Sequence, residues 1–305
     1  MSAAVCPACQ TTHVSHWFEK NEYPHYKCRA CGHGFVSPIP ERSVLDAYYR
    51  RLSSGYSSGC SWAVEPTHKL ALWQELLRNA AGLAPKGPLL DVGCGGGAFL
   101  ELAARTGWEK LYGIEPSAIA VRMAESRGVG AIEVGPWQQF DGAYRDVSVV
   151  SMFDVLEHDP EPFALLQFAH RSLRPGGVLL LSVPHVGGVS LRTFGRSALV
   201  VIPPEHLAYY SKSSIAAMLS RASFQLVRSF TCDVYIKEWL RFIPVVGRGE
   251  SGARAGEAGW NEGPYRTSYK RLTSDRSLRL ISAANCLLDA ARLGDQLVVV
   301  ARALG

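Results

Sequence analysis

The sequence of 305 residues has no apolar run approaching the roughly 18 residues of a membrane-spanning helix. Its longest candidates, Val178–Val183 and Leu297–Ala301, are strand-sized. The first ten residues, MSAAVCPACQ, lack both a basic n-region and an apolar h-region, so no secretory signal is expected. Charge of one sign is scarce: 32 Lys and Arg against 27 Asp and Glu leave +5. With 47% hydrophobic and 19% charged residues, the chain is not short of core-formers. A membrane protein, a secreted disulfide scaffold and a disordered tail protein are thereby not expected. The expectation is a soluble, cytoplasmic protein of about one to two domains.

The basic excess is local. Between Arg241 and Arg279 stand eight basic residues and four acidic ones. The plain reading is a solvated face. The sharper one is a surface that meets phosphates of a nucleotide-linked, lipid-linked or nucleic-acid substrate.

Of eight cysteines, four form one pattern: Cys6-Pro-Ala-Cys9, eighteen residues, then Cys28-Arg-Ala-Cys31-Gly32. Two such knuckles offer four thiolates to a tetrahedral ion, the arrangement of a structural zinc ribbon. Gly32 lets the backbone turn tightly around the sulfurs, whereas the first knuckle has Gln10 there. His16–Lys20 and His25–Lys27 read as strands around a turn at Asn21–Pro24. A segment of about forty residues has too little apolar surface to fold alone, so metal must supply stability. All four ligand positions are cysteine, which leaves no open site and makes the metal structural. A disulfide pair, a redox motif or a rubredoxin-type iron are the alternatives. His13, His16, His25 and His33 belong to this ribbon and carry no chemistry; Cys60, Cys232 and Cys286 read as lone thiols.

A helical pattern over Pro66–Ala81 ends at Pro85-Lys86-Gly87-Pro88, a boundary. Then comes Leu89-Leu90-Asp91-Val92-Gly93-Cys94-Gly95-Gly96-Gly97-Ala98, which spells strand, tight turn, helix. Glycines let the backbone approach a ligand, and the helix start offers unpaired N–H groups. Gly93-x-Gly95-x-x-Ala98 also satisfies a loose dinucleotide fingerprint. Asp91 speaks against that cofactor: it would repel a pyrophosphate but can meet the ammonium end of a methionine moiety. Glu115, twenty residues past Gly95, ends a second strand where a carboxylate receives ribose hydroxyls of either cofactor.

These residues resemble the class I S-adenosylmethionine-dependent methyltransferases, and further segments follow in family order. Gly113-Ile114-Glu115-Pro116-Ser117 resembles the acidic ribose motif. Ser151–His158 resembles the fourth strand and its loop, and Leu173–Leu180 the turn into strand five. Pro203–Ser211 resembles a segment common in small-molecule and sugar methyltransferases. The likeness covers residues 86–231 and 296–303, and a four-Cys ribbon ahead of such a domain is a recurrent bacterial arrangement. It implies S-adenosylmethionine held by Asp91, Gly93, Cys94, Gly95, Gly97, Glu115, Pro116, Trp137, Met152 and Phe153.

Strand patterns at 89–92, 111–114, 131–134, 147–152, 178–183, 225–231 and 296–302 alternate with helical ones at 98–105, 117–126, 161–172 and 213–222. That alternation gives an α/β, doubly wound, Rossmann-like sheet. The resemblance implies seven strands, with Leu297–Arg302 inserted antiparallel. The expected organisation is a ribbon at 1–40, a helical linker or lid at 41–85, and the methyltransferase domain at 86–305 with an insertion at 232–295. Within the insertion, 247–263 hold six glycines and read as a loop, and 265–293 as a helix beside the substrate pocket. Residues 45–62, with Tyr48, Tyr49, Tyr56 and Trp62, are a second candidate lid.

Methyl transfer from a sulfonium is a displacement, so alignment does most of the work. An oxygen nucleophile also needs its proton removed, and histidine suits that near neutral pH. His158 and His206 follow strands four and five, where the pocket should be, and are the candidate catalytic bases. No acid-rich magnesium signature accompanies them, so metal-independent transfer is expected. The expected acceptor is a small molecule, such as a nucleotide- or lipid-linked sugar, and the expected reaction O-methylation. The alternative is an rRNA or tRNA methyltransferase that grips RNA with the ribbon and the 241–279 segment. Base-amine methylation often uses an (Asn/Asp)-Pro-Pro-aromatic motif, and Met152-Phe153-Asp154-Val155 stands there instead. A non-enzymatic adaptor would not need the intact glycine loop and Glu115.

Overall fold

The computed structural model describes residues 4–55, 67–234, 239, 287, 288 and 290–305. The basic stretch between Arg241 and Arg279, the 247–263 loop, most of the 265–293 pattern, Tyr56, Trp62, Cys60 and Cys286 lie outside them. Three strands open the chain: β1 (Val14–Lys20), β2 (Tyr23–Cys28) and β3 (Gly34–Val36). Helices α1 (Arg42–Gly55) and α2 (Thr67–Leu83) follow. The larger unit then runs β4 (Leu89–Val92), α3 (Ala98–Arg105), β5 (Leu111–Glu115), α4 (Ala118–Ser126), β6 (Ala131–Val134), β7 (Val147–Phe153), α5 (Pro162–Ser172) and β8 (Leu173–Pro184). It closes with α6 (Val189–Phe194), β9 (Ala208–Tyr209), α7 (Lys212–Arg221), β10 (Phe224–Cys232) and β11 (Gln296–Ala303).

Seven strands make one sheet in the order β10-β11-β8-β7-β4-β5-β6. The five from β8 to β6 are parallel, and β11 lies antiparallel between β8 and β10. Because helices cover both faces, the central strands are buried continuously rather than at alternate residues. β7 reads VSVVSMF and is buried along its first six residues. One face packs on Leu165, Phe168 and Met218, the other on Trp73, Leu76, Phe99 and Leu100. Among the described residues no helix is long and apolar enough to cross a membrane.

Two local details differ from the sequence reading. Residues Asn21 and Glu22 both take positive φ, 52° and 65°. That makes a two-residue hairpin turn whose twist matches its strands, so Pro24 already belongs to β2. The expected turn at Arg174–Gly177 is absorbed into β8, which starts at Leu173. There Leu173 pairs with Val147, the register slips before Val149, and Gly176 takes φ 74°. The glycines make an irregularity within the strand rather than an end to it.

The N-terminal strands do not form a sheet by themselves. Their order is β1-β2-β3-β9, and β9 comes from the chain between β8 and α7. Cys6, Cys28, Cys31 and Phe35 share one apolar cluster with Phe168, Ile215 and Met218. Phe168→Ala would remove a fully buried ring next to Trp137 (5.4 Å between centroids). It should lower the unfolding free energy by about 3–5 kcal/mol, read from a urea titration.

Candidate active site

The turn after β4 needs backbone that side chains disfavour. Gly93, Gly95 and Gly97 have φ of 71°, 51° and 78°. A Cβ on Gly93 would stand 2.5 Å from Val155 Cγ2, and one on Gly97 2.9 Å from Ala124 Cβ. At Gly95 it would meet nothing within 4 Å, because that residue borders open space. The space is a cavity of about 270 Å³ at the C-terminal ends of the strands.

Of the residues that the resemblance assigns to the cofactor, Asp91, Gly93, Cys94, Gly95, Glu115 and Phe153 line it. The structure does not bring Gly97, Pro116, Trp137 or Met152 to this cavity. Gly97 packs on α4 instead. Trp137 sits in the core and donates its indole N–H to Asp159. Met152 is fully buried on the face opposite Phe153, because successive residues of a strand point to opposite sides. Lys69, Trp73, Phe99, Ser117 and Asp154 also line the cavity and were not singled out. Trp73 was legible only as a member of the helical apolar stripe; its ring lies 5.6 Å from that of Phe153.

Two carboxylates dominate the electrostatics. Asp91 is 3% exposed and accepts a 2.6 Å hydrogen bond from Ser151 Oγ. Burial raises its pKa to about 7; the Ser151 bond works against the shift and the Glu115 charge adds to it. Glu115 accepts the Gly95 N–H at 3.0 Å on one oxygen and the Ser117 N–H at 2.8 Å on the other. Burial raises its pKa as well, with those two amides opposing. Asp154, at φ 57°, accepts from Ser182 Oγ (3.0 Å), Gln296 Nε2 (2.7 Å) and Lys69 Nζ (3.3 Å).

The loops after β7 and β8 bring the two predicted histidines together. Their rings lie 4.7 Å apart, nearly perpendicular. His158 Nδ1 is 2.9 Å from the Glu205 carbonyl, and His206 Nδ1 is 2.8 Å from the Val200 carbonyl. A carbonyl only accepts, so each Nδ1 carries the proton and each Nε2 keeps its lone pair. Burial lowers both pKa values, His206 further than His158, and for His206 the neighbouring imidazole adds to the effect. The Glu157 side chain is 1% exposed, with Oε1 3.9 Å from His158 Nε2. Helix α1 reaches this cluster: Tyr48 Oη donates to the Glu205 carboxylate at 2.8 Å, and Tyr49 Oη lies 3.3 Å from His158 Nδ1.

Cys6, Cys9, Cys28 and Cys31 converge, their sulfurs all within 4.8 Å of one another. The Cys6–Cys31 and Cys9–Cys28 sulfurs are 3.6 Å apart. A disulfide would bring them to about 2.05 Å. Four sulfurs on a tetrahedral zinc at about 2.3 Å stand about 3.8 Å apart, so the donor set fits that ion. Gly32 and Gln10, which follow the two knuckles, both turn through positive φ, 74° and 62°.

Residues 67–229 match the methyltransferase domain family. A ubiquinone biosynthesis O-methyltransferase of Histophilus somni is 32% identical over 155 residues, which cover 47% of this chain and 62% of that protein. One of Actinobacillus pleuropneumoniae is 33% identical over 179 residues, 55% of this chain and 72% of that protein. The chain thus spans 62% of the length of the first of these relatives. Among solved structures, a 1,6-didemethyltoxoflavin-N1-methyltransferase of Burkholderia thailandensis with bound S-adenosylhomocysteine superposes with a TM-score of 0.52. It is 15% identical, with 95% of this chain and 100% of that one covered, a likeness of fold.

A cationic ligand that meets Asp91 must keep it ionised. Below about pH 7 the free protein holds a proton there, so binding should release up to about one proton and weaken as pH falls. Calorimetry in buffers of different ionisation enthalpy measures this; no proton release between pH 6 and 7 would contradict it. Glu115→Ala frees the Gly95 and Ser117 amides and should weaken binding of a ligand in the cavity by about 1.5–3 kcal/mol, the worth of one charged hydrogen bond, as calorimetry would measure.

Proposed function

This chain belongs to the methyltransferase domain family, and from that premise we propose that it transfers a methyl group from S-adenosylmethionine to an oxygen of a small-molecule acceptor. The acceptor we favour is a sugar, nucleotide- or lipid-linked, or another biosynthetic intermediate, handled in the cytoplasm. One observation carries the reading. A buried carboxylate, Asp91, and a half-buried one, Glu115, flank a glycine turn in a cavity whose described lining offers one cation, Lys69, already against Asp154. A buried carboxylate without a cation is costly, and an ammonium group and ribose hydroxyls are what would relieve this pair.

When bound, S-adenosylmethionine supplies an electrophilic methyl on a positively charged sulfur. In this mechanism Asp91 receives the ammonium and Glu115 the ribose hydroxyls, while Trp73, Phe99 and Phe153 exclude water. Asp154 lines the cavity four residues before His158, so the passage toward the histidine loops is proposed to run past it, and three donors hold it so that it cannot swing away. His158 or His206 takes the acceptor hydroxyl proton on Nε2, already freed by the bond at Nδ1. The chain's own contribution is alignment plus that proton transfer. We read residues 1–40 as a zinc ribbon, 41–85 as a helical linker and 86–305 as the catalytic domain.

Replacing the operative histidine by alanine should lower turnover by about 10²–10⁴-fold with cofactor affinity intact. A loss under fivefold in both alanine variants would reject a histidine base. The pH profile has a fixed sign. Burial holds both imidazoles below their ordinary 6.5, so the neutral, base-competent form persists at pH 6.5 and turnover falls only below it. Stability moves the same way: below 6.5 the unfolded chain takes up protons that the folded one refuses, so it declines as pH falls.

For the ribbon, elemental analysis should give about one zinc per chain, lost in Cys28→Ser. Burial opposes a thiolate at Cys28, yet the backbone amides of Cys31 and Ala30 donate to its sulfur and bring the thiol down to about 7. Two disulfides and no metal in protein kept reduced would refute this assignment.

A further inference from the structure

The ribbon and the histidine cluster are joined by hydrogen-bonded main chain rather than by a tether. β3 pairs with β9, Gly34 opposite Tyr209 and Phe35 opposite Ala208. The Val36 N–H donates to the Leu207 carbonyl at 2.9 Å, and the Leu207 N–H donates to the Glu157 carbonyl at 2.8 Å. One residue, Leu207, therefore stands between the ribbon and the Glu157–His158 turn, and its chain neighbour is His206. More contacts brace the same segment. Ser211 Oγ, at the start of α7, donates to the Cys31 carbonyl. The His33 ring packs 4.8 Å from that of Tyr210, whose hydroxyl donates to the Leu156 carbonyl at 3.3 Å. Lys20 Nζ donates to the Val201 carbonyl, next to the Val200 carbonyl that holds His206 Nδ1.

β9 has only two residues and gains its strand partner from β3. Its other backbone support is the bridge of Tyr210 to His185 beyond β8. β3 in turn has three residues and follows directly on the knuckle of Cys28 and Cys31. A segment this short keeps its shape through the four-thiol centre rather than through a core of its own. We infer that the ribbon is a positioning element of the acceptor side: the metal on its four thiols fixes β3, β3 fixes β9, and β9 fixes His206 and the Glu157–His158 turn. The inference rests on the reading above that these cysteines hold a metal and that the histidines face the acceptor. It goes beyond that reading by making the ribbon's loading state a determinant of catalytic geometry, not only of the ribbon's own stability.

The test is hydrogen exchange on the full chain, as purified with zinc, after zinc removal by a chelator, and after zinc is restored. Imidazole ring resonances of His158 and His206 are followed in parallel, with S-adenosylhomocysteine binding by calorimetry as control. Removal should speed exchange of the 205–211 amides by at least about tenfold and shift both imidazoles, reversibly. The glycine loop at 93–97 and the S-adenosylhomocysteine affinity should stay within about twofold. Faster exchange confined to 14–36, with 205–211 and both imidazoles unchanged, would overturn the inference.

If zinc removal unfolds the whole chain, Gly34→Val keeps the question open to refutation with all four thiols in place. A Cβ there would stand 2.8 Å from Trp17 Cζ3 and 3.4 Å from Tyr209 Cβ, so the branched side chain presses on the Trp17 ring, which lies 6.3 Å from that of Tyr209 on β9. The zinc-loaded variant should show the same local loss at 205–211, and normal protection there would reject the inference. A chain that binds S-adenosylhomocysteine but holds no metal would overturn this inference and the zinc assignment while the methyltransferase reading stands.

Discussion

The cavity depends on the Glu115 carboxylate holding two backbone amides at once. One oxygen takes the N–H of Gly95 at 3.0 Å, the other that of Ser117 at 2.8 Å. The first amide belongs to the loop after β4, the second to the N-cap of α4. One side chain therefore adds to the tie between two neighbouring strand ends that the Gly93 and Cys94 N–H groups already make on the Ile114 carbonyl. Placing an ionised group in this half-buried position is costly, and charge-assisted bonds of about 1.5–3 kcal/mol each offset the cost. Each carboxylate oxygen has more than one acceptor direction, so capacity remains for a hydroxyl pair in the cavity. The left-handed Gly93, Gly95 and Gly97 shape the turn that carries the Gly95 amide to Glu115.

Asp154 performs a comparable service at the other end of the cavity. It receives Ser182 from β8, Gln296 from β11 and Lys69 from α2. Residues distant in sequence thus meet at a lining position of the cavity four residues before His158. This gives the last strand a role beyond filling the sheet. Inserted antiparallel next to β8, β11 delivers Gln296 to the rim from a part of the chain that follows the long 232–295 insertion.

The sheet was legible in the sequence because its central strands are short apolar runs ended by glycine, proline or acid. Leu89–Val92 and Ala131–Val134 match the expected strands residue for residue. Asp91, the glycine turn and Glu115 were legible for a related reason: cofactor chemistry fixes residue types at a fixed spacing within one βαβ unit. What escaped was non-local. Lys69 is one polar residue on an amphipathic helix, and nothing in the helical period says that its turn covers the cavity. The β3–β9 pairing joins Gly34 to Tyr209, and hydrophobic pattern carries no register over such a separation. Met152 and Phe153 were both assigned to the cofactor because the motif contains both, whereas strand geometry allows only one of them to face it.

The central claim is that the Asp91–Glu115 cavity takes S-adenosylmethionine with its reactive end toward Phe153 and Asp154. A crystal structure of the full chain with S-adenosylhomocysteine tests it most directly. The account predicts ribose hydroxyls within hydrogen-bond distance of the Glu115 carboxylate, the amino group against the Asp91 side, and the sulfur facing the passage to His158 and His206. A ligand bound elsewhere, or one whose sulfur points away from Asp154 while Glu115 keeps only its two backbone amides, would contradict it.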